Sequence, residues 1–427
     1  ERRWRHYDLP NGRDIVSVSA LEASSRVGEA VRVAVERQMV ADVPVGAFLS
    51  GGLDSSAVAA FAKGQVGERR LQCFTIGFDD DAARAEGMTE DLPFAEKVAR
   101  HLDVDLHVVR VGPEMADELP RMLYHLDEPQ ADPAPLNALF ISRLARERGI
   151  KVLLSGAGGD DIFTGYRRHY ALMQERYWSW LPQSARRALA AGASRLPAIW
   201  PPTRRLAKAF QYAGLDGDER LASYFIWTPP ALLASLCGPA LRESLAASPP
   251  SVPLLASLAR LPAGTPPLER MLYLEGKHFL ADHNLNYTDK MGMAAGVEVR
   301  VPLLDPDLMA LAASLPAEYK QHGRIGKWIF KRAMEPYLPR DVIYRPKTGF
   351  GAPLRRWLRR ELAPLVEDLL SPASLQNRGL FDLQGVKALV EMDRAGRIDG
   401  TYTIFSLMCI ELWCRIFVDA KVPSLGR

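Results

Sequence analysis

The run Phe48-Leu49-Ser50-Gly51-Gly52-Leu53-Asp54-Ser55-Ser56 comes straight after the apolar, strand-like stretch Val43 to Phe48 and leads into a helix-like segment, Ala57 to Ala62. A strand that meets two glycines and then a helix forms a tight loop. Its backbone N–H groups gather at the positive end of the helix, which makes an anion site, with phosphate the usual anion. Ser50, Ser55 and Ser56 add hydroxyl donors. Asp54 is out of place beside a phosphate unless a cation lies between them, so the loop points to a Mg²⁺-bound phosphate or pyrophosphate. No lysine follows the glycines, and the spacing matches neither of the two common nucleotide loops.

A second segment repeats this grammar. Ile150 to Leu154 is apolar and is followed by Ser155-Gly156-Ala157-Gly158-Gly159-Asp160-Asp161 and on to Tyr166. Ligands of open parallel sheets bind beyond the carboxyl ends of the strands, so the two loops are expected to face one site. Asp54 and Asp160 would then offer oxygens to one Mg²⁺. Taken alone, Asp160-Asp161 reads better as a solvated helix start.

Strands and helices alternate through the first part of the chain. Helical spacing runs from Glu22 to Val40, followed by strand Val43–Phe48, helix Ser55–Lys63, strand Leu71–Ile76 and helix Pro93–His101. Strand Leu106–Val109, helix Leu136–Arg148 and strand Lys151–Leu154 come next. This order predicts an α/β fold with a doubly wound parallel sheet. Asp79 to Asp91 is acidic and irregular and reads as a loop near the nucleotide. After Tyr166, Leu, Ala and Arg dominate and prolines punctuate (Pro182, Pro197, Pro229-Pro230, Pro266-Pro267), which predicts a large helical region. The expected division is a linker at 1–20, an α/β core at 21–170 and a helical region at 171–427 that folds back over the site.

Two further segments stand out: Asp289 to Asp305 (DKMGMAAGVEVRVPLLD) and Arg345 to Trp357 (RPKTGFGAPLRRW). The SGGLDSS loop resembles the pyrophosphate loop of the N-type ATP pyrophosphatase superfamily. With the other three segments, in this order, the chain from about Asp8 to Leu370 resembles the synthetase domain of glutamine-dependent asparagine synthetases. The resemblance implies an adenine nucleotide α-hydrolase-like fold, ATP and Mg²⁺ as cofactors, and a carbon–nitrogen ligase. In that family a substrate carboxylate is adenylated, pyrophosphate leaves, and ammonia displaces AMP to give an amide.

Carried onto this chain, the resemblance assigns Leu49, Ser50, Gly51, Gly52, Asp54, Ser55, Ser56, Ile76, Ser155 and Gly156 to ATP. Ile76 would act through its backbone on adenine. Asp54 and Asp160 would hold the metal, and Lys290 and Lys347 would be catalytic, near the reacting phosphate and carbonyl, where a compact point charge suits the task. Glu298 and Arg300 share one face of an extended segment and read first as a structural salt bridge shaping the site, and second as direct substrate contacts. Asp305 is expected to cap a helix at Pro306–Ala313. Asp127 to Pro133 resembles a Pro-broken loop that lies near the family's site.

There are two departures. Ala157 stands where the family usually has an acid, which shifts the expected acceptor away from free aspartate toward another carboxylic acid, such as a sugar acid or a peptide. The family's N-terminal amidotransferase domain is not represented, and Arg2-Arg3-Trp4-Arg5 resembles the junction that follows it. The expectation is therefore a piece of a longer enzyme, with ammonia supplied by a glutaminase domain or subunit.

Composition fits a globular chain of 427 residues: net charge is +3 and hydrophobic content is 48%. The basic residues are dispersed, which argues against a nucleic-acid partner. Four cysteines form no C-x-x-C pair and read as reduced, buried thiols. No signal peptide or run of 18 apolar residues appears, so no membrane partner and a cytoplasmic location are expected. Homodimerisation is left open. Two competing functions remain: an adenylating cyclase that uses an internal amine to close a lactam or macrocycle, and a non-catalytic scaffold.

Overall fold

The computed structural model describes residues 4, 6–10, 15–78, 91–196, 201–346 and 353–420. Lys347, most of the expected 79–91 loop and part of the Arg345–Trp357 segment therefore lie outside the described residues. Two compact units are present. The first comprises Glu1–Gly112, Pro135–Leu172 and Leu261–Phe350, and the second Pro113–Ala134, Met173–Arg260 and Gly351–Arg427.

The first unit is built on a five-stranded, wholly parallel sheet. Helix α1 (Ala20–Gln38) comes first, and its start is set by Ser19, whose hydroxyl accepts the Glu22 N–H at 3.2 Å. Ala23, Val27, Val31, Ala34 and Val35 recur at helical spacing and are the buried face. Strand β1 (Val45–Phe48), helix α2 (Leu53–Ala62), strand β2 (Gln72–Phe78), helix α3 (Leu92–Leu102) and strand β3 (Asp105–Val111) follow. After α4 (Ala134–Glu147), strand β4 (Val152–Leu154) runs into the short helix α5 (Gly159–Phe163). A π-helical segment, Glu275–Leu285, continues into α6 (Asn286–Ala294) and strand β5 (Glu298–Arg300). Helices α7 (Pro306–Ser314) and α8 (Trp328–Met334) complete the parts that bear on the site.

The strand order is β3-β2-β1-β4-β5. The chain winds outward from β1 to β3, then returns to place β4 on the other side of β1. The register pairs Ala47 with both Cys73 and Leu154, and Leu154 in turn with Arg300. The winding reverses between β1 and β4, and a crevice opens at such a reversal beyond the carboxyl ends of the strands. The two glycine-rich loops leave β1 and β4 at that point. The α/β doubly wound reading is therefore what the protein adopts.

The core of this unit joins Ala47, Cys73 and Leu154 of the sheet to Val58, Val98, Phe163 and Phe330 of the helices. Phe163 and Phe330 stack at 5.2 Å and tie α5 to α8. Burying each such ring contributes about 1.5–3 kcal/mol. This packing fixes the loops that α5 and α8 carry. Arg300 donates to Glu298 at 2.7 Å and to the carbonyls of Gln38 and Val40 at 2.8 and 2.7 Å. The expected salt bridge thus pins β5 to the end of α1, where a cation also suits the helix dipole. Asp305 caps α7 by accepting the Asp307 N–H and also pairs with Arg37.

The second unit is helical, with Cys237–Phe381 the one isolated β-bridge among the described residues. Trp357, Leu123, Phe405 and Met408 lie in its interior. The helical stretch Thr401–Val418 has a mean hydropathy of 1.4 and passes a length-and-composition test for a membrane span, but 56% of it is buried within the protein. A core helix passes the same test, and Glu411 and Arg415 both pair with partners inside this unit. The four cysteines are buried and free.

Candidate active site

The first loop closes on itself. Leu49 extends β1 by donating to the Phe74 carbonyl at 2.9 Å. The Ser50 N–H then donates to the Ser55 hydroxyl at 3.2 Å, and the Ser50 and Ser55 hydroxyls lie 3.1 Å apart. Gly51 has φ +68°, and a Cβ there would lie 2.3 Å from the Ala95 nitrogen. Only glycine fits. Gly52 caps α2, and Asp54 stands in its first turn. Ser56 Oγ is buried without a protein hydrogen-bond partner, a hydroxyl left over for something else at the helix start.

The second loop packs against the first. A Cβ on Gly156 would lie 2.5 Å from the Ser55 nitrogen, and one on Gly159 would lie 2.6 Å from Asp54 Oδ1. The two glycines let Asp54 approach Asp160 and Asp161, which sit in the first turn of α5. The Asp161 carboxylate accepts the Tyr166 hydroxyl at 3.3 Å. Ala157 donates its N–H to the Ser155 hydroxyl and brings no charge.

Between the loops lies Lys327, a residue the sequence reading did not single out. Its Nζ is 2.5 Å from Asp54 Oδ2 and 2.6 Å from Asp160 Oδ1. Burial by itself would lower the ammonium pKa, but Asp160 and Asp54 outweigh it and hold the group well above its ordinary value. The backbone is committed to this placement. Lys327 has φ +54° and Thr164 has φ +66°, and a β-branched residue in that region is a genuine outlier. The Lys327 N–H donates to the Phe163 carbonyl at 3.1 Å and to Thr164 Oγ1 at 3.3 Å. Strain of this kind collects at functional sites.

Arg345, the first residue of the RPKTGFG segment, pairs with Asp91 at 2.7 Å and lies over the Phe94 ring at 4.6 Å. Its Nη2 is 3.8 Å from where a Gly52 Cβ would be, so its guanidinium flanks the first loop. Ile76 lies in β2, opposite Val109 of β3. Phe74 turns its carbonyl toward β1, and Ile76 is two residues on, so its N–H and C=O face the same side. β1 ends at Phe48, opposite Phe74, so that edge of Ile76 lies past the last β1 pairing. Lys290 is half-buried on α6. The geometry thus brings together Ser50, Gly51, Gly52, Asp54, Ser55, Ser56, Ser155, Gly156 and Asp160, with Leu49 and Ile76 on the adjoining strand ends.

Residues 26–415 match the family model described as asparagine synthase. The chain belongs to the asparagine synthase family. It is 34% identical, over 402 residues, to a Mycobacterium tuberculosis protein named as a glutamine-hydrolysing asparagine synthetase, covering 92% of this chain and 58% of that protein. Asparagine synthetase 1 of Bacillus subtilis is 26% identical over 399 residues, 92% of this chain and 60% of that enzyme. Amidase chyE of Penicillium rubens is 25% identical over 390 residues, 84% of this chain and 56% of that protein. The chain therefore spans roughly three-fifths of the length of the curated relatives it matches.

The Asp54 and Asp160 carboxylates suit a divalent cation. They converge on one positive charge, the Lys327 ammonium, and two carboxylates with substrate phosphates make an ordinary magnesium donor set. What would have revealed Lys327 in the sequence is slight: a lysine after Gly326, heading the apolar run Trp328–Phe330.

Proposed function

We propose that this chain is the ATP-consuming, amide-forming part of an asparagine synthetase-like ligase. The observation that carries the reading is the Lys327 ammonium shared by Asp54 and Asp160, beside the Ser50–Ser56 loop at the start of α2. In the first step an acceptor carboxylate oxygen attacks the α-phosphorus of ATP. The bond from that phosphorus to the β-phosphate oxygen breaks, and pyrophosphate leaves with the electron pair. In the second step ammonia attacks the acyl carbon, the bond to AMP breaks, and the nitrogen gives up a proton. A Mg²⁺ held by Asp54 and Asp160 would screen the charge on the leaving pyrophosphate.

The chain's own groups do the rest. Ser50, Ser55, Ser56 and the N–H groups of Gly51 and Gly52 receive the pyrophosphate oxygens at a preorganised helix start. Ile76 and Leu49 offer backbone groups to adenine, and Ser155 and Gly156 close the site from the second loop. Lys327, held between the two carboxylates, offers positive charge to the reacting phosphates, with Lys290 and Lys347 as further cations. Ammonia from glutamine, delivered by another domain or subunit, is the proposed nitrogen source.

Ala157 favours a variant of this reading in which the acceptor is a carboxylic acid other than free aspartate. The test is pyrophosphate release with ATP, Mg²⁺ and ammonia over a panel of amino acids, sugar acids and peptides. Release with a non-aspartate acid is the expected result. Robust release with aspartate alone would overturn the acceptor assignment, and a ring-closed product formed without added ammonia would favour the cyclase.

A further inference from the structure

We infer that Lys327 is the resident occupant of the cation position between Asp54 and Asp160, and that a divalent metal enters that position only by expelling it. The inference rests on the assignment of Asp54 and Asp160 as metal ligands.

One ammonium touches both carboxylates, at 2.5 and 2.6 Å. These contacts are at or below the ordinary length for a charge-assisted hydrogen bond. Mg²⁺ sits at about 2.0–2.1 Å from its oxygens. A metal ion on the same two oxygens would lie within a few ångströms of Nζ, where a single and a double positive charge repel strongly in a site largely closed to water. The two cations therefore exclude each other. The Lys327 side chain is only 9% exposed, so little water screens that repulsion.

The backbone shows which part moves. Its hydrogen bonds to Phe163 and Thr164, together with the carbonyl that accepts the Lys331 N–H at 2.8 Å, anchor the Lys327 main chain at the head of α8. Exchange needs only rotation about the four-carbon stem. The freed ammonium faces a site that the metal has just loaded with phosphate, its natural partner. Metal loading and delivery of Lys327 to the phosphates become one event. Lys331 follows one turn later on the same helix, and burial together with Lys327 lowers its ammonium pKa. Like charge on that side gives Lys327 no reason to retreat along α8.

The exchange has a counter-intuitive consequence. Lys327 neutralises one of two negative charges, so its removal strengthens the metal site while it removes a cation the chemistry uses. The probe is Mn²⁺ alone, followed by electron paramagnetic resonance without nucleotide. Lys327→Met is expected to bind Mn²⁺ about tenfold or more tightly than the wild type, because affinity of such sites follows ligand charge. The double variant Lys327→Met/Asp54→Asn is expected to lose that gain. Equal or weaker Mn²⁺ binding by Lys327→Met overturns the inference, as does a double variant that binds as tightly as the single one. Loss of the ammonium can unfold the variant in metal-free buffer; millimolar Mn²⁺ must then restore its thermal transition, and failure to do so counts against the exchange. Because the titration uses no ATP, it stands apart from the functional reading. Wild-type pyrophosphate release alongside unchanged Mn²⁺ affinity in Lys327→Met would sink the exchange alone.

Discussion

At the scale of single residues, the site depends on positions where one atom more is too many. A methyl group on Gly51 would meet the α3 backbone, and φ is +68° there. Gly51→Ala is therefore expected to destabilise the fold by about 3 kcal/mol or more. Urea unfolding at unchanged m-value checks this, and a loss under about 0.5 kcal/mol, the span of an ordinary surface change, would contradict it. Gly51 was legible in the sequence because the strand, the glycine pair, Asp54, the two serines and the helix occur together. Lys327 was not. It is 273 residues from its partner Asp54, and nothing periodic marks it. Its role comes from a left-handed backbone and from the meeting of α5 with α8, and both are tertiary facts.

At the scale of elements, the turn after α5 is clamped to the start of the π-helical segment. Arg168 forks onto both oxygens of Glu275, which also accepts from His169 Nε2 at 2.9 Å. His169 Nδ1 accepts the N–H groups of Gly165 and Tyr166 at 3.0 and 3.3 Å, so Nε2 carries the proton. Glu275 and His169 are fully buried. Burial would raise the Glu275 pKa, but Arg168 and His169 outweigh it and hold it below its ordinary value. Burial pushes His169 below its own ordinary value, with Glu275 in partial opposition.

Both groups therefore bind fewer protons folded than unfolded, and stability rises with pH. The His169 contribution is complete above its unfolded value near 6.5 and is lost as pH falls from there toward the folded value. The Glu275 contribution drains further down, in the carboxylate range. Calorimetry should find the melting temperature lower at pH 5.5 than at pH 7.5 by on the order of 1–3 °C, with the drop smaller in His169→Gln. A flat wild-type profile, or an equal drop in the variant, would contradict this. The clamp was invisible in the sequence, since Glu275 lies 107 residues from Arg168 and 106 from His169, and each reads alone as a surface charge. β1 and β4 were plain, because each was a short apolar run that ended in small residues. β5 was legible only as an extended segment, since three residues carry no period.

At the scale of the whole molecule, the sheet order explains why two loops so far apart in sequence form one site. Both leave the sheet where the winding reverses, and the glycines at 156 and 159 let them touch. The sequence pattern foretold the parallel sheet and the pairing of the loops, because alternation of strand and helix admits few other folds. It could not foretell how residues beyond 260 return to this unit, since that return is made by helices whose partners are chosen by packing. Under the proposed function, Asp54 and Asp160 serve cleavage of ATP between its α and β phosphates. ³¹P nuclear magnetic resonance of ATP turnover, with Mg²⁺, ammonia and an accepted carboxylic acid, tests it most directly. AMP and pyrophosphate are the expected products, with both lost in Asp54→Asn and in Asp160→Asn. ADP and inorganic phosphate, or undiminished AMP formation by either variant, would contradict it.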